Sequence, residues 1–139
     1  MLARRVAVAG ASYSNDDVVV VDFASTPDEI SGADVVVVRA EDSDRWGELV
    51  RDRAPNAVVI VVGDSPQEMC EATLFPRARI IGVRDESEVG PVVDSIIYDR
   101  GADFETIVRC QGERGLEDEF ARVPVRIGKR GVLEIIEGV

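Results

Sequence analysis

The residues best placed for chemistry stand at the two ends of the stretch VAVAGASYSNDDVVVVDF, residues 6–23. Gly10 follows an apolar run, and a glycine turn leaving a strand is where dinucleotide-binding proteins seat a pyrophosphate. Backbone amides at a helix start approach the phosphates there, and the glycines of G-x-G-x-x-G allow the close approach. GASYSN keeps the first glycine only, followed by Ala11 and Ser12. A lone glycine after a strand is more often a turn residue. Asp22 ends the next apolar run, where an acid in such a fold accepts hydrogen bonds from a ribose. Without a phosphate cradle, a solvated acid at a strand end describes it better.

Other chemistries are poorly supplied. The 139 residues contain no histidine, which removes the commonest general base at neutral pH and the commonest metal ligand. Cys70 and Cys110 are the only cysteines. Two isolated thiols make no disulfide framework, and no histidine is there to activate either as a nucleophile. Both are expected as small buried hydrophobes. The acid clusters EDSD (41–44) and DESE (85–88) lack the alternating Asp/Asn and central glycine of a calcium loop, so a solvated surface is expected. No catalytic residue and no metal ligand is assigned.

Charge narrows the partners. Against 27 acidic residues stand 16 basic ones, a net charge of −11, and the bases are scattered along the chain. A phosphate backbone is repelled by such a surface, so nucleic acid is not an expected partner. No apolar run reaches the ~18 residues of a membrane span. No signal peptide is expected ahead of the first strand run. A cytoplasmic protein without membrane contact is expected.

The elements that must position these residues alternate along the chain. RRVAVAG, DVVVVDF, ADVVVVRA, AVVIVVG and ARIIGV are dense in valine or isoleucine, as in parallel strands covered on both faces. Thr26, Pro27 and Glu29 form a capping box for one short helical turn. DSDRWGELVRDRAP predicts a helix capped by Ser43 or Asp44 and stopped at Pro55, with Trp46, Leu49 and Val50 on one face. Ser65, Pro66 and Glu68 repeat the capping box before a helix that ends at Pro76. SEVGPVVDSIIYDRG predicts another, with a stripe of Val89, Val92, Val93, Ile96 and Ile97 and Gly101 beyond its end.

After Gly101 the pattern changes. FETIVRCQG, EFARVPVRIG and GVLEIIEGV are closely spaced strand runs, which favours an antiparallel hairpin or meander. The expected architecture is one α/β domain over residues 1–139. Between Gly10 and the second strand run, Ala11 to Asp17 is short. A parallel crossover usually needs about a dozen residues or more, so spacing favours a hairpin around SYSNDD. Seven extended residues nevertheless span ~23 Å, enough for a crossover without a helix.

The C-terminal segment carries an ordered set of motifs. G-x-x-G-x-x-D holds Gly112, Gly115 and Asp118. V-P-V-x-x-G-x-x-G-V-x-x-I-I-E holds Val123, Pro124, Val125, Gly128, Gly131, Val132, Ile135, Ile136 and Glu137. In these the chain resembles the end of the lactate/malate dehydrogenases, the NAD-dependent 2-hydroxyacid dehydrogenase family. ADVVVVRA, PNAVVIVVGDSP and FPRARIIGV resemble the family's inner strands in outline. The resemblance covers nearly the whole chain in pieces, with large blocks missing between them. It implies a reduced Rossmann-like fold, mostly parallel with an antiparallel C-terminal β part, and a parallel crossing from the first strand to the second. It also implies NAD as the possible cofactor, bordered by Gly10, Ala11, Ser12, Asp22 and Ala40.

The family's catalytic parts find no match. Its oxidation of a hydroxy acid uses a histidine oriented by an aspartate, and this chain has no histidine. RAEDSDRW runs directly into a helix, so Arg39 and Arg45 do not match the family's mobile arginine loop. Arg84 and Asp85 lead straight into the late helix, leaving the substrate-clamping arginine unmatched. Ser65 stands where the family has an asparagine before proline. The leading expectation is a catalytically silent, shortened dehydrogenase-like domain without a cofactor. Loss of covering layers is expected to expose apolar faces and to drive homo-oligomerisation or docking on a protein partner. The alternative is residual NAD(H) or adenine-nucleotide binding, or a malate/lactate dehydrogenase-type oxidoreductase.

Overall fold

Strand pairing puts the first three runs side by side. In the computed structural model, residues 4–10, 13–63 and 65–137 are described. The strands are β1 (Arg5–Val8), β2 (Val19–Asp22), β3 (Val35–Arg39), β4 (Val58–Val62), β5 (Ile80–Val83), β6 (Ala102–Gln111), β7 (Glu117–Gly128) and β8 (Gly131–Ile135). The helices are α1 (Ser43–Arg53), α2 (Gln67–Thr73) and α3 (Val89–Ile97). One sheet holds all eight strands in the order β2-β1-β3-β4-β5-β6-β7-β8. β1 to β5 are parallel, and β6 to β8 continue the sheet as an antiparallel meander. This is the reduced Rossmann-like α/β architecture.

The pairing of β1 with β2 is parallel, with Arg5 opposite Val19 and Val8 opposite Asp22. The chain therefore crosses from β1 to a parallel β2, and the described part of the crossing, residues 13–18, contains no helix. A hydrogen-bonded cluster holds this short crossing against α3. Tyr13 OH donates to Asp94 Oδ1 at 2.6 Å, and Asn15 Nδ2 donates to Tyr98 OH at 3.0 Å. Tyr98 OH donates in turn to Asp17 Oδ2 at 2.8 Å. Side-chain bonds from a distant helix here replace the local ladder that a crossover helix would have supplied.

Each face of the sheet has its own core. On one, Val6, Val8, Val35, Val37, Ile60 and Ile81 pack under the Val89, Val92, Val93, Ile96 and Ile97 stripe of α3. That stripe is buried throughout. Full burial of such aliphatic side chains contributes roughly 1.5–3 kcal/mol each. Ser95, fully buried on the same helix, donates to the Ile127 carbonyl at 2.7 Å and ties α3 to β7. On the other face Ala7, Val36, Val38 and Val59 pack with Trp46 and Val50 of α1 and Met69 of α2. Phe23 meets Trp46 edge to face at 4.9 Å. A side chain at Gly47 would put its Cβ 2.3 Å from Ala72 Cβ, so a glycine is what lets α1 approach α2 this closely.

Several expectations need correction. The sheet does not leave an apolar face bare. Among the described residues the exposed large hydrophobics are Val19, Leu74 and Leu133, because α3 and the docked crossing cover one face and α1 and α2 the other. β2 is not buried on both faces, since it is the sheet edge with one neighbour, and Val19 is 44% exposed. The capping boxes do not close. Thr26 sits at the N-cap of the 3-10 turn Pro27–Ile30 without a side-chain cap, and α2 has Pro66, not Ser65, at its N-cap. Ser43 and Asp44 lie inside α1, where Asp42 takes the cap position, and Ser43 Oγ donates instead to the Ala40 carbonyl at 2.8 Å.

Candidate functional site

Strand order reverses between β1 and β3, since β2 lies outside β1 and the later strands lie beyond β3. In open α/β sheets ligands bind in the crevice outside the strand C-termini at such a switch point. Gly10 and Ala40 flank it, and Asp22 closes the neighbouring strand. Ala11 and Ser12 lie outside the described residues.

Arg39, the last residue of β3, dominates the mouth of this crevice. Its Nε donates to the Gly10 carbonyl at 2.6 Å and its Nη2 to Glu86 Oε1 at 2.6 Å. Gly10 has φ +71°, and a Cβ there would stand 3.1 Å from Arg39 Nε. Glycine thus serves both the turn and the close passage of the guanidinium. Ala40 opens the 3-10 turn Ala40–Asp42, and a Cβ at Gly63 would lie 2.9 Å from its own Cβ. Asp22 is exposed, and its Oδ1 accepts from the Ala24 amide at 3.0 Å, so the carboxylate caps its own turn.

The described residues do not by themselves supply a pyrophosphate cradle. A pyrophosphate needs amides at a helix N-terminus and open space over the glycine. The described part of the crossing, from Tyr13 to Val18, contains no helix, and Arg39 covers Gly10. The structure thus brings Gly10, Ala40 and Asp22 to one end of the sheet.

The remaining sequence candidates serve the fold. Within DESE, Asp85 accepts from the Ser87 amide at 2.9 Å, Glu86 holds Arg39, and Glu88 pairs with Arg122 at 3.2 Å. Among the described residues no three His, Cys, Asp or Glu side chains gather as a metal site would require. Cys70 and Cys110 are buried, and burial pushes the Cys110 thiol up.

Sequence reasoning missed the ion pairs of the C-terminal half. Arg77 grips Glu113 in a two-pronged fork at 2.8 Å on each prong. That fork, helped by the Gln111 amide, holds the Glu113 carboxyl down to about 2. Arg109 pairs with Asp118. A cavity of about 370 Å³ lies beside the fork, against Val132 and Leu133. A second, of about 380 Å³, opens between Ser65, Cys70 and the Arg109–Asp118 pair. Neither is lined by Gly10, Asp22 or Ala40.

No protein-family model matches the chain. Among curated proteins it is 52% identical over 46 residues to the malate dehydrogenase of Caldivirga maquilingensis, 33% of this chain and 15% of that one. It is 32% identical over 81 residues to the malate dehydrogenase of Haloarcula marismortui, 54% of this chain and 27% of that one. The matched part therefore spans less than a third of either relative. Among solved structures, the malate dehydrogenase of Picrophilus torridus aligns with a TM-score of 0.80 at 14% identity. That alignment covers 98% of this chain and 90% of that one. A lactate dehydrogenase of Cryptosporidium parvum, solved with lactic acid and nicotinamide adenine dinucleotide, aligns with a TM-score of 0.79 at 13% identity, covering 100% and 91%. At such identities the likeness is one of fold. With the two sequence matches beside it, the chain is similar to malate and lactate dehydrogenases, over part of its length in sequence and over nearly all of it in fold.

Proposed function

We propose that the chain is a catalytically silent malate/lactate dehydrogenase-like domain that acts by binding, through self-association or a protein partner. The observation that carries this reading is Arg39 bonded to the Gly10 carbonyl, its side chain packed where a Cβ at Gly10 would stand. The absence of histidine from the sequence supports it, because hydroxy-acid oxidation needs a base to take the hydroxyl proton. For association, the support lies at the two sheet edges. β2 offers Val19 and β8 offers Leu133, each exposed beside unpaired strand backbone. The domain is read as a single unit in the cytoplasm that avoids nucleic acid, in keeping with its net charge of −11. Among the described residues no helix is long and apolar enough to cross a membrane.

Two measurements test the reading. Light scattering across a concentration series should show a species larger than one chain or a stoichiometric complex with a partner; a strict monomer that captures nothing contradicts it. Assays with malate, lactate and oxaloacetate in the presence of NAD(H) should be blank, and turnover overturns the silent assignment. A second reading, residual NAD(H) or adenine-nucleotide binding with or without oxidoreductase activity, is favoured by Asp22, exposed on the strand next to Gly10. Saturable binding of AMP that weakens in Asp22→Asn would establish it.

A further inference from the structure

Two buried polar groups of the meander stand without a hydrogen-bond partner among the described residues, the Thr106 hydroxyl and Arg122 Nη1. Thr106, on β6, is 1% exposed. Arg122, on β7, spends its other terminal nitrogen on Glu88, 3.2 Å from Oε1. A buried donor left unmade weakens a fold. Both residues line one cavity of about 240 Å³, between the start of α3 and β6. Val92 and Phe104 supply apolar wall there, and Glu88 and Glu105 are its acids. We infer that this cavity is a binding site for a small uncharged molecule that carries a carbonyl oxygen on an apolar body. The inference does not rest on the function proposed above, because none of Gly10, Asp22 and Ala40 lines this cavity.

The chemistry of the two groups selects the ligand. Each can donate, so each calls for an acceptor, and a carbonyl oxygen offers two lone pairs. Water can accept as well, but Val92 and Phe104 offer it nothing, whereas an apolar body gains by covering them. An engineered cavity of ~150 Å³ admits benzene. About 240 Å³ therefore admits a ring with a short carbonyl-bearing substituent. Charge excludes the acid counterpart of such a molecule. Glu88 already pairs with Arg122, and Glu105 adds a further negative charge at the exposed rim. A carboxylate placed there meets repulsion that a ketone escapes.

Titration of the full chain with acetophenone, followed through backbone amide shifts, provides the test. Saturable shifts are expected at residues 87–92, 104–106 and 122. Their absence to millimolar acetophenone overturns the site and leaves water as the cavity's occupant. Benzoate, a charged molecule of similar size, should bind more weakly, and equal or tighter binding overturns the uncharged assignment. Thr106→Val removes the hydroxyl and keeps the shape. It is expected to weaken acetophenone binding about fivefold and to melt no lower than wild type, since a hydroxyl without a partner gives the fold no bond. Unchanged affinity, or a lower melting temperature, overturns the proposal. Thr106→Ser keeps a hydroxyl and is expected to bind as wild type does. If it binds as weakly as Thr106→Val, shape rather than the hydroxyl holds the ligand, and the proposal falls.

Discussion

Leu74 shows most plainly what one residue costs this chain. It follows α2 in the left-handed region at φ +59°, and its side chain is 77% exposed. The conformation costs an L-residue roughly 1–2 kcal/mol, and the exposed side chain returns little by burial. Glycine relieves the strain but adds chain entropy of about 0.5–1 kcal/mol to the unfolded state. Leu74→Gly is therefore expected to raise stability by about 0.5–1 kcal/mol in urea denaturation. Glu113 gives the residue scale its pH dependence. Arg77 holds its carboxyl at about 2, below the ordinary value of 4.5. Its folded value is depressed, so the stabilising contribution is present above 4.5 and is lost as pH falls toward 2. In Glu113→Gln the acid limb of the stability profile should be flatter than in wild type, and parallel limbs contradict the assignment.

At the scale of elements, the β1–β2 crossing does the work of a missing helix with a few polar side chains. Burial first, then the bond to Asp94, pushes the Tyr13 phenol above its ordinary value of 10. A raised folded value means that this contribution is intact below pH 10 and is lost as pH rises beyond it. Tyr13→Phe is expected to cost about 1 kcal/mol and to speed amide exchange across residues 13–18, with α3 itself unchanged. Equal exchange in the variant would show that the crossing is held by something else. The α3 stripe was legible in the sequence because apolar spacing is local information. The tether was not, because Asp94 and Tyr98 lie far along the chain from Tyr13 and Asn15. For the same reason spacing alone pointed to a hairpin, whereas the family resemblance pointed to the parallel crossing that the sheet contains. Capping signatures misled at Thr26 and Ser65, where the residue types are right but no side-chain bond forms.

For the molecule as a whole, three helices and the docked crossing cover both faces of the sheet. α3 spans the seam between the parallel strands and the meander, packing on β3, β4 and β7. This is why apolar faces expected to be bare are closed, and why any association surface must be sought at the sheet edges. Fold class and the C-terminal meander could be read from valine-rich runs and ordered glycine motifs. The candidate site could be read only as positions: Gly10, Asp22 and Ala40 do reach one end of the sheet, but Arg39 over Gly10 follows from a side-chain path that no spacing encodes. On the proposed reading, this end of the sheet does not serve a dinucleotide. Calorimetric titration of the purified wild-type chain with NADH tests it most directly. No saturable heat is expected to millimolar ligand; one-site binding at micromolar concentration would show that the dinucleotide site is intact.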